Sequence, residues 1–324
     1  MGKFLMAITA GESIAARLYP RPERRKRTFA SVGPLRGRKP RCGRVSTACG
    51  LLVEERWGNT LRMPYVEKHA PGGFCWIELA TTDQGTAKKF YSALFGWTIS
   101  EFPLGPNEIY TMFKIDGRNV AAAYTLRPDQ RELGVPAHWN LYVAVESADS
   151  AARRAKGLGA KMIAEPFDVF DVGRMAVVED PTGATFSLWQ AKRHSGFGIK
   201  GVPGSFCVAD LSTPDQDGAS RFYQQLFGWH IGREDEDPAH NYYHLFNNDE
   251  YIGGILPAAF HHPGTPAHWQ IYLLTPDCDA TAARAKDLGA KLYLPPMKIE
   301  DIGRMAVMAD PQGAAFAIFE AARG

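Results

Sequence analysis

No stretch of this 324-residue chain approaches the ~18 consecutive apolar residues that a membrane-spanning helix needs. That excludes a helical membrane protein and leaves a soluble one as the expectation. The opening MGKFLMAITA is too short for a secretory signal, and Glu12 and the basic run behind it do not resemble a cleavage region. Cysteine is scarce. The five, Cys42, Cys49, Cys75, Cys207 and Cys278, show no C-x-x-C spacing. Neither a disulfide framework nor a zinc knuckle is expected, and a reduced, cytoplasmic protein is. The patterns GxxxxGK(S/T), GxSxG and HExxH are also absent. Phosphate-loop, α/β-hydrolase and zincin chemistries therefore lack their sequence support.

A strong charge of one sign is missing too, since the formal net charge is +2. The average hides an asymmetry. Residues 1–62 hold 14 Lys+Arg against 4 Asp+Glu, and the remainder holds 23 against 31. The larger part is mildly acidic, which argues against nucleic acid as its partner, because phosphate binding needs a basic face. Residues 1–63, with RPERRKR and RGRKPRCGR, show no sustained period and read as a disordered basic segment. Met63 reads as the true start, with a mis-assigned frame upstream; a basic interaction arm and an organelle presequence are the other readings.

What the chain does have is an internal repeat. KKFYSALFGWTI (88–99) recurs as SRFYQQLFGWHI (220–231), and AHWNLYVAVESADSAARRAKGLGAK (137–161) as AHWQIYLLTPDCDATAARAKDLGAK (267–291). DVGRMAVVEDPTGATFSLWQA (171–191) recurs as DIGRMAVMADPQGAAFAIFEA (301–321). These copies predict two domains, 64–191 and 204–324, joined by a Gly-rich linker at 192–203. Each copy has an inner rhythm. Residues 74–80 alternate as a strand, Asp83 stands where an N-cap belongs, and Ala87, Phe90, Tyr91 and Leu94 follow at helical spacing up to Gly96. Strands are expected near 98–102, 109–115 and 119–125, with Asp116-Gly117 as a hairpin turn. The pattern restarts with a strand at 138–145, a helix at 147–158, and short strands near 161, at 174–179 and at 184–190. Each domain is thus βαβββ written twice, an α+β fold whose paired modules form a curved mixed sheet around a pocket.

FY-x3-FGW after the first helix, the unit ending A-x-GLGAK, and DPTGATFSL near the domain end together resemble the vicinal oxygen chelate superfamily. That superfamily includes glyoxalase I, bleomycin- and fosfomycin-resistance proteins and extradiol dioxygenases. The resemblance covers 72–191 and 204–321, and the tandem form is similar to two-domain bacterial glyoxalase-like proteins. It implies a divalent metal held by His, Gln or Glu from four strands, ligands suited to Fe, Mn, Ni, Zn or Mg. The matching positions here are Trp76 and Val208 on the first strand, Asn140 and Gln270 on the fifth, and Ser187 and Ala317 on the last. The remaining one falls within AAAYT and GGILP, which hold no carboxylate. Only Gln270 is a usable ligand. The expectation is therefore no superfamily metal site and no cofactor, with glyoxalase chemistry on a metal-polarised substrate disfavoured.

Alternate residues of a strand share a face. Trp76 at the pocket-facing position puts Glu78 there as well, and Asp210 is its copy. A carboxyl in an apolar cup holds its proton more tightly and serves as a general base or an anchor for a cationic ligand. The plain alternative is a carboxylate bonded to a neighbouring strand or lying at a wet rim. His138 and His268 share a face with Asn140 and Gln270. They read as partners of the acid, as ligands of a displaced metal, or as loop caps. Arg174 and Arg304 start a strand near the expected pocket mouth, as anion grips or as surface ion pairs. Tyr110 and Met112, with copies Tyr242 and His244, complete the candidate lining alongside Trp76, Val208, Asn140 and Gln270. The reading is a protein that binds a small, largely apolar organic molecule. The alternatives are a lyase, isomerase or dioxygenase using Glu78 or Asp210 as base or relocated metal ligand, and a non-catalytic interaction protein. Internal pairing of the domains predicts a monomer, with a homodimer as the other option.

Overall fold

The computed structural model describes residues 65–105, 108–233, 241–261, 264–299 and 302–322. The expected N-terminal segment lies outside these. The first half runs β1 (Phe74–Thr81), α1 (Gln84–Phe95), β2 (Thr98–Gly105), β3 (Glu108–Ile115), β4 (Arg118–Thr125), α2 (Pro128–Glu132), β5 (His138–Ala144), α3 (Ala148–Gly157), β6 (Lys161–Val169), β7 (Gly173–Glu179) and β8 (Thr185–Ala191). The second runs β9 (Phe206–Ser212), α4 (Gln216–Phe227), β10 (His230–Arg233), β11 (Tyr243–Asn247), β12 (Glu250–Ile255), a 3-10 turn at Ala258–Phe260, β13 (His268–Leu274), α5 (Cys278–Asp287), β14 (Lys291–Ile299), β15 (Gly303–Ala309) and β16 (Ala315–Ala321).

These elements form two eight-stranded mixed sheets, ordered β2-β3-β4-β1-β5-β8-β7-β6 and β10-β11-β12-β9-β13-β16-β15-β14. Each βαβββ module contributes four strands. An antiparallel β1–β5 or β9–β13 seam joins the two modules, and parallel pairs flank it. Local chemistry explains the joints. Asp83 and Asp215 accept from the third backbone N–H beyond them, and Gly96 and Gly228 end the same helices at φ 73° and 76°. Asp116 (φ 49°) and Gly117 (φ 73°) turn the β3–β4 hairpin, as their sequence predicts.

Three features differ from expectation. Strand β6 spans nine residues rather than a short segment. Helix α2 follows β4, where no element was expected, with Pro128 at its start, where a missing N–H costs nothing. Residues 192–203, read as the linker, pack along the first domain. Phe197 is buried there and donates its N–H to Cys75 O at 2.8 Å, and Gly198 does the same to Asn119 O. Gly196, at φ 114°, passes so close to β1 that a Cβ would sit 2.1 Å from Cys75 O.

The halves clasp reciprocally through a buried core. Tyr91 of α1 donates to Asp310 Oδ2 (3.1 Å), and its copy Tyr223 donates to Asp180 Oδ2 (2.8 Å). Trp97 Nε1 donates to Gly204 O and Trp229 Nε1 to Gly72 O, each at 2.8 Å. Among the described residues no helix is long and apolar enough to cross a membrane.

Candidate functional site

The concave face of the first sheet encloses a cavity of about 750 Å³. Strand β1 shows how its floor is built. Ile77 and Leu79 are fully buried beneath the helices, while Trp76 and Glu78 of the alternate register line the cavity. Across the seam Glu78 sits opposite Asn140, and His138, Asn140 and Tyr142 follow each other along one face of β5. Strands β3 and β4 add Tyr110, Met112 and Tyr124. Phe102, Leu133 and Phe170 stand half-exposed around the same cavity. At one end the cavity reaches residues of the second domain, including His268 and Gln270.

Glu78 is the polar centre of this floor. Tyr142 donates to its Oε2 at 2.6 Å, and Tyr110 hydrogen-bonds to it as well. Burial pushes the carboxyl's pKa up, and the two phenols pull it partly back by favouring the anion. Tyr110 and Tyr142 are in turn pushed well above the ordinary tyrosine value, first by burial and then by the nearby carboxylate. Tyr124 hydrogen-bonds to Asn140, which links it to the β5 stripe. His138 donates Nδ1–H to Pro136 O at 2.9 Å, a carbonyl being able only to accept. Burial lowers its pKa, opposed by its hydrogen bonds to Pro136 and to the Asn140 side chain.

The second domain repeats the constellation. Asp210 accepts from Tyr242 at 2.7 Å and hydrogen-bonds to Tyr272 and to the Gly254 backbone, and burial again raises its pKa. Tyr242 also meets the Tyr251 hydroxyl at 2.9 Å and packs its ring against His244. It lies across Gly254, where a Cβ would fall 2.1 Å from its hydroxyl. An acid with two tyrosines thus occurs in both domains, as Glu78, Tyr110 and Tyr142 and as Asp210, Tyr242 and Tyr272.

The candidate residues divide clearly. Glu78, Trp76, Tyr110, Met112, His138 and Asn140 surround one cavity. Asp210, Val208, Tyr242, His244 and Gln270 belong to the second sheet, where Asp210 faces Gln270 across the seam. No hydrogen bond joins His138 to Glu78; Ala80 is its cross-strand neighbour and Asn140 lies between them. Arg174 and Arg304 are not drawn into either constellation. Arg174 forms a bidentate pair with Asp149, at 2.7 and 2.9 Å, and Arg304 pairs with Asp279. Both aspartates stand in the first turn of a helix, so these arginines hold helix to strand.

Three residues escape a reading by motif. Tyr142 and Tyr272 stand two positions beyond Asn140 and Gln270, and strand alternation alone would have placed them on the cup face. His194 comes from the segment predicted as a linker. Its ring packs edge-on to Trp76 at 4.7 Å, its Nε2 is buried without a hydrogen-bond partner, and burial lowers its pKa to about 4.

Comparison with known proteins decides the family. Residues 73–188 match the model of the Glyoxalase/Bleomycin resistance protein/Dioxygenase superfamily, and 206–319 match that of a Glyoxalase-like domain. A Mycobacterium tuberculosis protein provisionally named glyoxylase CFP32 is 37% identical over 261 residues, 80% of this chain and 99% of that one. The chain belongs to this superfamily. The anthracycline biosynthesis protein DnrV of Streptomyces peucetius is 32% identical over 79% of this chain and 96% of its own. Among solved structures, the Mn(II)-bound glyoxalase of Novosphingobium aromaticivorans superposes with a TM-score of 0.54 at 16% identity, covering 77% of this chain and 82% of that one. A homoprotocatechuate 2,3-dioxygenase variant from B. fuscum gives 0.55 at 16%, covering 79% and 74%. At that identity the likeness is one of fold.

The superfamily positions in the first cup hold Trp76, Asn140 and Ser187, all lining the cavity and none an anionic or imidazole ligand. Glu78 is the nearby carboxyl, and two phenols already occupy it. Among the described residues no three His, Cys, Asp or Glu side chains are grouped to hold an ion.

Proposed function

We propose that the first-domain cup binds a small, largely apolar organic molecule of aromatic character, with the Glu78 carboxyl as its polar anchor and without a protein-held metal. One observation carries this reading: a ligand-sized cavity walled by aromatic side chains has the part-buried Glu78 carboxyl at its floor. The size also favours a small-molecule role over that of an interaction scaffold. Relatives named for anthracycline biosynthesis support a flat, multi-ring ligand. A cytoplasmic protein that completes its domain pairing within one chain, and works as a monomer, is part of the same proposal.

Titration with 2-naphthol, followed by tryptophan fluorescence, tests it, because Trp76 and Trp189 line the cup. Saturable binding that is lost in Met112→Trp, which fills the cup, is expected. Binding indifferent to that substitution, or none, overturns the proposal. A second reading, an acid–base enzyme of the lyase or isomerase type, is favoured by the Glu78 carboxyl, whose pKa desolvation raises.

A further inference from the structure

We propose that the first cup selects organic ammonium compounds, aromatic ligands whose protonated amine forms an ion pair with the Glu78 carboxylate. The inference rests on the binding role proposed above and names the charge class of its ligand.

Glu78 keeps acceptor capacity beyond its own partners. A carboxylate offers about four lone-pair sites. The two phenols on Glu78 take two of them, Tyr142 at 2.6 Å and Tyr110 beside it. Both are donors, and donors favour the anion. The residue is only part-buried and lines the cavity, so it is reached from the space a ligand fills.

Asp210, its copy, shows the contrast. It accepts from Tyr242 and Tyr272 and from the Gly254 backbone, is 7% exposed, and does not line this cavity. The same constellation is closed in the second domain and open in the first. One ligand per chain follows.

Charge complementarity decides which kind of donor fits. Among the described residues, the cavity wall holds two carboxyls, Glu78 and Asp129, and one permanent cation, Arg127. Arg127 is committed to Asp129 by a bidentate pair at 3.0 and 2.7 Å. His138, His194 and His268 also line the cavity, and burial lowers the pKa of each, which favours the neutral ring. No charged neighbour contributes to the shift at Glu78 itself; burial and the two phenols account for it. The floor carboxylate therefore lacks a countercharge, and a ligand ammonium provides one. Hydrogen bonds between ionised partners are roughly twice as strong as those between neutral ones. The ring faces of Trp76, Tyr124 and Trp189 on the same wall suit the polarised carbons next to the nitrogen.

Two probes of the same shape test this on the full chain by titration calorimetry at neutral pH. They are 2-naphthylmethylamine, which is protonated, and 2-naphthylmethanol, which is not; 2-naphthol serves as the reference for the binding role. The amine should bind about tenfold or more tighter than the alcohol, at one site per chain. Glu78→Gln should bring the two within about threefold, and Asp210→Asn should keep the preference, with circular dichroism confirming that each variant is folded. The ratio in the parent decides by itself should a variant fail to fold. An alcohol that binds as tightly as the amine overturns ammonium selection and leaves the binding role standing. A preference that survives Glu78→Gln, or that a folded Asp210→Asn loses, overturns the assignment to Glu78. Failure of all three compounds to bind overturns selection and binding role together.

Discussion

Removing the hydroxyl of Tyr91 should loosen the clasp between the domains. That hydroxyl is fully buried, donates to Asp310 Oδ2 at 3.1 Å, and accepts from Trp139 Nε1 at 3.1 Å. Tyr91→Phe keeps the ring and its stacking on Trp97 but strands two buried polar groups. Leaving a buried group unpaired costs about 1–3 kcal/mol. Asp310 keeps two backbone N–H donors on Oδ1, so the lower half of the range applies to it. The total is about 3 kcal/mol, or roughly 4–6 °C in Tm for a protein of this size. Tyr223→Phe, the reciprocal change, should behave alike, because Tyr223 bonds Asp180 and Trp269 in the same way. Lys156→Ala is the contrast. Its pair with Glu165 is exposed on both sides, and such pairs contribute about 0–1 kcal/mol. Differential scanning calorimetry of the three variants measures the difference. Tyrosine variants that melt within about 1 °C of the parent, alongside Lys156→Ala, would refute the clasp as a source of stability.

Other outcomes follow from the cup. Burial raises the folded-state pKa of Glu78, so the folded chain keeps a proton that the unfolded chain releases. Stability is therefore lost as pH rises from the ordinary value of 4.5 toward the folded-state value. Glu78→Gln, which cannot ionise, should gain stability over the parent as pH rises above 4.5 in thermal melts; a gap that does not change with pH counts against a raised Glu78 pKa. Tyr142→Phe removes one partner of that carboxyl and should cost about 1–3 kcal/mol in urea unfolding. An unchanged midpoint would mean that the 2.6 Å hydrogen bond carries nothing. Arg174→Ala should leave 2-naphthol affinity within about twofold, since its guanidinium is held by Asp149; a larger loss would return it to the ligand site.

Much of the architecture was legible because local and global signals agree. The repeated FY-x3-FGW and DP-x-G segments mark helix ends and turns, and period-two alternation sorts Trp76 and Glu78 from Ile77 and Leu79 before any sheet is drawn. The acid of each cup stood out for the same reason, as a charged residue on an otherwise apolar strand. Tyr142 and Tyr272 carried the same alternation signal, overshadowed by the ligand positions beside them. His194 carried none. Its place depends on Phe197 anchoring a Gly-rich segment against Cys75, a tertiary contact that a composition resembling a linker conceals. The clasp was illegible as well, since Tyr91 and Asp310 are 219 residues apart. Each also has a sufficient local reading, as a helix-face residue and as a turn former. Arg174 had two readings from sequence alone, and the helix aspartate that pairs with it lies 25 residues away.

The central claim is that the first cup holds its ligand without a metal. The most direct test is 2-naphthol affinity of the full chain after exhaustive dialysis against chelator, compared with the same protein re-equilibrated with Mn(II), Fe(II) or Zn(II), with bound metal measured by mass spectrometry in each sample. Equal affinity across all samples, with no stoichiometric metal retained, is the predicted result. Binding that appears only with one of these ions, at about one ion per domain, would contradict it.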